Sequence, residues 1–224
     1  DSGDIDGALA ALDQMARGRF YWGVGSGGFP GDFELFGIDA KAGEHREVTR
    51  AMLDVILGLW NDPKPGLYES KYWRFRVPDP QEDIGLRLHL TPYQRPHPPI
   101  GVAGVSANSE TLVLAGERGY IPMSINFVPV RLLRSHWEAV ETGAQRAGRT
   151  ADRSLWRIAR DVYVAETRER ARREALEGTL ARDWTRYFLP FLQKVKLLDL
   201  VKVDPAMPDS EVSLEYLLDN VWIV

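Results

Sequence analysis

Short apolar runs alternate with amphipathic helical patterns along this chain, and that alternation constrains its fold more than any other feature. From Ile100 the order is "IGVAGV", then a helical stretch from Ser109 to Arg118, then the apolar "YIPMSINF". A helix marked by Leu133, Trp137, Val140, Ala144 and Ala147 follows, then the strand-like "WRIARDVYVAE". A long helical pattern then runs from Arg168 to Phe191, with Leu180, Trp184, Tyr187, Phe188 and Phe191 on one face. Strands separated by helices pair in parallel through right-handed crossovers.

The same texture appears upstream. Ile5 to Ala16 reads as a short helix with Leu9, Leu12 and Ala16 on one face, and "RFYWGVGSGG" reads as a buried strand entering a glycine turn. Glu44 to Trp60 is amphipathic, with Val48, Met52, Val55, Ile56 and Leu59 at helical spacing. Between these lies a different pattern. "KYWRFRV" and "LRLHL" alternate polar and apolar residues, as half-buried strands do, and "PDPQEDIG" joins them. The expectation is a β-hairpin insertion around residues 68–92 within a single α/β domain covering residues 1–224. The strand order fits either a doubly wound sheet or part of a (β/α)8 barrel.

Composition narrows the function classes. The chain has 224 residues, a formal net charge of −4 and no cysteine. The negative balance offers no general attraction for nucleic acid. The absence of cysteine excludes disulfides, cysteine nucleophiles and thiolate metal sites, and fits a cytoplasmic setting. His45, His89, His97 and His136 show no metal-ligand spacing, so no metal site is expected and all four read as structural or surface residues. No apolar run approaches the roughly 20 residues of a membrane span. The first residue is Asp1, and the chain closes on the strand-like "NVWIV". A strand at the very end suggests a piece of a longer protein.

Two stretches carry candidate chemistry. "GVGSGG" (Gly23 to Gly28) superficially matches a dinucleotide fingerprint, which needs a helix beginning at its glycines. Here Pro30, Gly31 and Gly37 are expected to break any such helix, leaving a strand-end loop. That loop either lets a ligand approach the backbone or is simply a tight turn. The second stretch is Ser106-Ala107-Asn108-Ser109, between an apolar strand and a helix. Small side chains there would expose backbone N–H groups at the positive end of a helix dipole, which suits a phosphate. A plain cap by Asn108 or Ser109, with Glu110 in the first turn, explains the pattern equally well. Arg46 opens the Glu44 helix, where the dipole disfavours a cation, and so is a candidate partner for an anion or simply a solvated surface residue.

Taken together, "LDQMARGRFYWGVGSGGFPGDFELFGID", "HREVTRAMLDVILGLW", "PYQRPHPPIGVAGVSANSETLVLAGERGYIPMSI" and "GRTADRSLWRIARDVYVAETRERAR" resemble the bacterial-luciferase-like flavin monooxygenases. The resemblance is strongest to the limonene and alkanal monooxygenase type. It implies a (β/α)8 TIM barrel, present here as an incomplete barrel lacking the first strands and the last strand. It implies FMN, supplied in reduced form by a separate flavin reductase, and transfer of oxygen from O2 to a hydrophobic small molecule such as a terpene or aldehyde. It also implies a homodimer, and a histidine assisting oxygenation in a segment that precedes Asp1. The catalytic residues are therefore left unassigned. By resemblance the FMN phosphate falls on Ser106 and on Ala107, Asn108 and Ser109. Gly25, Ser26 and Gly27 fall beside the flavin. Ser26 stands where luciferases carry an Arg, and Arg46 matches a second phosphate-binding Arg after a longer loop. Two alternatives share the barrel: a deazaflavin-F420-dependent oxidoreductase, and a flavin-binding protein without turnover. A sugar-phosphate barrel enzyme is disfavoured by apolar residues near the strand ends, such as Phe29, Phe33 and Phe127.

Overall fold

The computed structural model describes residues 2–86 and 89–224, with side chains described from residue 5 onward. Two compact units emerge, Asp1–Ile100 and Gly101–Val224, and each is described by itself.

The first unit contains helix α1 (Ser2–Ala16), strand β1 (Trp22–Val24), helices α2 (Pro30–Leu35) and α3 (Glu44–Asn61), and strands β2 (Gly66–Glu69) and β3 (Arg74–Val77). Helix α1 packs on α3. Trp60, fully buried at the end of α3, sets its indole edge-on against Trp22 of β1, with ring centroids 5.6 Å apart. Its Nε1–H donates to the Asp6 carbonyl at 3.3 Å. Buried Asp13 accepts from the backbone N–H and the side-chain amide of Gln94 at 2.7 and 2.8 Å, so a carboxylate removed from water keeps its partners.

Three expectations change here. The buried stripe of α3 is Leu53, Ile56, Leu59 and Trp60, turned away from Val48, Met52 and Val55, which stay half exposed. The Trp60 indole anchors that rotation, because burying it removes the most apolar area from water. A helix does follow the glycines, since Pro30 occupies its first turn, where the missing N–H costs nothing. It is six residues long and none of them is buried. The hairpin pairs β3 with β2, Gly66 opposite Val77 through Glu69 opposite Arg74, with Tyr68 and Phe75 stacked at 5.1 Å. "KYWRFRV" thus finds its partner upstream in "GLYE". Arg87 and Leu88 of the other expected strand lie outside the described residues.

The second unit, from Gly101, opens within strand β4 (Ile100–Gly104), followed by helix α4 (Glu110–Arg118), strand β5 (Ile121–Ser124), helix α5 (Leu133–Arg146) and strand β6 (Arg157–Ile158). β4 and β5 run parallel, Gly101 opposite Ile121 through Gly104 opposite Ser124, and β6 continues in parallel from Met123. Helices α6 (Arg168–Glu177), α7 (Thr179–Asp183), α8 (Leu189–Lys194) and α9 (Leu214–Asn220) complete it. The long helix expected from Arg168 to Phe191 is interrupted twice. Gly178 adopts an extended conformation between α6 and α7, and Trp184–Phe188 form a π-turn before α8. The closing "NVWIV" contributes a single parallel bridge, Ile223 to Val162, rather than a strand. Around it Ala175, Trp184, Leu192, Val201, Leu217, Val221 and Trp222 form a core. The irregular segment before α9 is tied down by buried Lys202, whose ammonium donates to Asp199 at 2.7 Å and Asp209 at 2.6 Å.

The closest approach in this unit is between α4 and α5. A Cβ on Gly116 would strike the Val140 carbonyl, and a Cβ on Gly143 would strike the Val113 carbonyl. The two glycines let the helix backbones touch, and Leu112, Val113, Trp137, Ala139 and Val140 fill the seam. Leu112 in turn packs against the bare face of Gly104, seating α4 on β4. Among the described residues no helix is long and apolar enough to cross a membrane.

Gly143→Ala forces a methyl into a backbone carbonyl. The expected outcome is a loss of roughly 1–3 kcal/mol in stability, the usual cost of overpacking. Urea unfolding followed by tryptophan fluorescence measures it, and an unchanged midpoint refutes the close-crossing argument.

Candidate functional site

Ser106, Ala107 and Asn108 sit exposed at the C-terminal end of β4, and Ser109 is buried at the N-cap position of α4. The Ser109 side chain makes no capping bond. Its carbonyl instead accepts from Leu112 and Val113, starting the helix ladder. Asn108 takes a left-handed conformation, φ 52°, which asparagine tolerates better than most residues. Its N–H is turned toward Ser135 Oγ at 3.4 Å. Among the described residues, no hydrogen-bond acceptor meets the N–H groups of Ala107, Glu110 or Thr111. The cap alternative is therefore filled in position but not in chemistry, and the donors remain available at the positive end of α4.

A buried polar chain reaches this turn from below. Trp156 Nε1–H donates to Ser124 Oγ at 2.9 Å, Ser124 pairs with His136 Nδ1 at 2.8 Å, and His136 Nε2 pairs with the Ser106 carbonyl at 2.9 Å. Donor and acceptor chemistry assigns the protons. An indole cannot accept and a carbonyl cannot donate, so Ser124 O–H donates to Nδ1 and His136 carries its proton on Nε2. Burial holds His136 below the usual histidine range; the bond to Ser106 opposes that shift and the Arg160 charge adds to it. Arg160 follows β6. Its Nη1–H donates to the carbonyl of Asn126 at 3.3 Å and to that of Val128. Its Nε and Nη2 atoms are buried with no partner among the described residues.

The other predicted residues lie in the first unit. Gly25 and Gly27 are exposed and Ser26 is half-buried in the loop after β1. Gly27 has φ +80°, and a Cβ there would sit 3.1 Å from the Phe33 ring. Phe33 packs on His45, ring centroids 5.1 Å apart, and Arg46 follows in the first turn of α3. Burial first, and the Arg46 charge second, lower the His45 pKa. The glycine loop and Arg46 thus share one neighbourhood, bridged by Phe33 and His45. Arg46 is exposed and makes no ion pair among the described residues. The sequence reading missed His136 and Arg160 as parts of a site. Their only sequence signals are a histidine one position before the apolar Trp137 and an arginine inside the strand-like "WRIARDVYVAE".

Parallel strands joined by outer helices, with small-residue turns at their C-terminal ends, define the luciferase-like (β/α)8 architecture. Residues 7–201 match the luciferase-like monooxygenase family, and the chain belongs to that family. It is 31% identical to 3,6-diketocamphane 1,6-monooxygenase of Pseudomonas putida, over 95% of this chain and 60% of that protein. It is 32% identical to limonene 1,2-monooxygenase of Rhodococcus erythropolis, over 77% of this chain and 42% of that protein. Among solved structures, it matches the oxygenating constituent of 3,6-diketocamphane monooxygenase from Pseudomonas putida, a type II Baeyer-Villiger monooxygenase in complex with FMN. The TM-score is 0.82 and the identity 30%, covering 99% of this chain and 61% of that one. An F420-dependent secondary alcohol dehydrogenase shares the fold at a TM-score of 0.63 and 21% identity, over all of this chain and 62% of that one. The chain spans about three fifths of the length of the diketocamphane relatives it matches.

A histidine held below its ordinary pKa of 6.5 binds fewer protons folded than unfolded. Its contribution to stability is full above about pH 6.5 and is lost as pH falls from there through the lowered folded value. His136→Gln removes that contribution. The fall in thermal midpoint between about pH 7 and pH 5 should be smaller in the variant than in the wild type, and an equal fall contradicts it.

Proposed function

We propose that the protein is a flavin-dependent monooxygenase that uses reduced FMN and O2 to oxygenate a hydrophobic small molecule. The observation that carries this reading is the Ser106 turn, where small residues at the N-terminus of α4 present N–H groups without acceptors. Such a turn suits a phosphate monoester. Arg46, a cation at a helix start with no ion pair among the described residues, is a candidate phosphate partner by the family resemblance alone. Ser26 contributes a hydroxyl in the loop after β1 where luciferases carry an Arg.

FMN, when bound, supplies the activation of O2; the protein's part is to bind, orient and exclude water. The N–H groups of Ala107, Glu110 and Thr111 would hold the phosphate. The Gly25–Gly27 backbone, with no Cβ at two of its three positions, allows close approach of a flat ring. Relatives named for diketocamphanes and limonene favour a compact, terpene-like substrate over a charged one. The proposal extends to a separate reductase that delivers reduced FMN, to a homodimer, and to a cytoplasmic setting.

The deciding experiment supplies reduced FMN, O2 and a panel of bicyclic ketones, limonene and long-chain aldehydes, and measures oxygenated product. Product from at least one class is expected. Tight F420 binding with no FMN binding would replace this reading with that of a deazaflavin oxidoreductase. FMN binding with no product from any class would leave a binding protein. A separate substitution tests the phosphate position. Ser106→Asp sets a like charge beside the phosphate and should weaken FMN binding by roughly tenfold or more. Unchanged affinity would displace the phosphate from this turn.

A further inference from the structure

We propose that His136, locked by Ser124 and Trp156, is a positioning residue that sets the direction of the anion-binding N–H groups in the Ser106 turn. The inference rests on the reading that this turn holds the FMN phosphate, and it adds what makes the turn competent. Arg95–Pro96 is the cis peptide among the described residues, so the Ser106–Ala107 peptide is trans. In a trans peptide the C=O and the following N–H point in opposite directions. His136 Nε2–H, donating at 2.9 Å, draws the Ser106 carbonyl toward the buried face of the turn. The Ala107 N–H is thereby aimed the other way, toward the exposed side where Ser106 and Asn108 lie.

The relay keeps His136 in the one state that does this. A carbonyl needs a donor, so Nε2 must carry the proton and Nδ1 must be an acceptor. Ser124 O–H supplies the proton Nδ1 accepts, and it points there because Trp156 Nε1–H already occupies the hydroxyl's acceptor side. Trp156 is itself held, stacked on Trp137 at 5.6 Å with Arg153 over both rings. A second tie from the same helix reaches the turn. Ser135 Oγ, anchored to the Leu132 carbonyl at 2.8 Å, faces the Asn108 N–H at 3.4 Å. Adjacent residues of α5 therefore hold the carbonyl at one end of the turn and the amide two residues on. His136 is fully buried, and among the described residues its hydrogen bond to the turn is the one to that carbonyl. It acts through Ser106.

The test compares affinity for FMN with affinity for riboflavin, which lacks the phosphate, by quenching of flavin fluorescence. The wild type should prefer FMN. His136→Leu removes the donor and should cut FMN affinity by roughly tenfold, the range for an unmet buried carbonyl, while riboflavin affinity stays within about twofold. His136→Gln, whose amide N–H can still donate, should restore most of the preference. Ser124→Ala and Trp156→Phe disturb the relay without touching His136, and should lower the FMN preference in the same direction by a smaller factor. Parallel losses for both flavins, or a full FMN preference in all four variants, would overturn the positioning role. A wild type that binds both flavins equally would instead overturn the phosphate reading, and the relay's role with it.

Discussion

The close crossing of α4 and α5, with Gly116 against the Val140 carbonyl and Gly143 against the Val113 carbonyl, is the constraint on which the second unit depends. With no side chain at either position, α4 and α5 approach until each backbone meets the other's carbonyl. That distance fixes how far α5 stands from the β4–α4 turn. His136, two turns of helix before Gly143, can reach the Ser106 carbonyl only from that standoff. Leu112 over Gly104 sets the other spacing, between α4 and its own strand. Three glycines without φ anomalies thus decide the geometry of a polar turn that contains no glycine at all.

The polar chain below the turn follows from the same packing. A buried serine and histidine with a half-buried indole cost more to desolvate than apolar residues of equal size unless every hydrogen bond is made. Here the bonds close in one direction, from Trp156 through Ser124 and His136 to Ser106. The members come from three separate elements and the turn, so the chain also clamps β5, α5 and the start of β6 at one height. Arg160 adds a cation whose charge acts on His136, tied to the loop after β5 through the Asn126 and Val128 carbonyls.

Much of this was legible in the residues. The alternation of strands and helices located β4, α4, β5 and α5 to within a few residues, because one-sided burial imposes a period that survives in sequence, whereas only Arg157–Ile158 of the strand-like "WRIARDVYVAE" form β6. The family resemblance drawn from motif blocks agrees with the match over residues 7–201. What escaped was set by contacts distant in the chain. The β3 partner lay upstream because Tyr68 and Phe75 stack across a short turn, a pairing that alternation alone cannot assign. The rotation of α3 followed from where Trp60 found Trp22. His136 was unreadable as part of a site, since its partners stand 12 and 30 positions away and have no spacing signature.

The π-turn at Trp184–Phe188 has a consequence of its own. Each residue of an α-helix advances the chain by about 100°, and a wider turn delays that advance. Trp184 and Phe188 both face Phe127, and the Trp184 indole reaches Asp161, which also receives the Asn126 amide. The extra residue is taken up inside the wider turn, so Leu192 beyond it still reaches the core while the Trp184 indole holds Asp161. The length of this helix is thus a specification in its own right. The loop after β5 is tuned by a count of residues in a helix more than fifty positions downstream, in a register that no conservative exchange of side chains could reproduce.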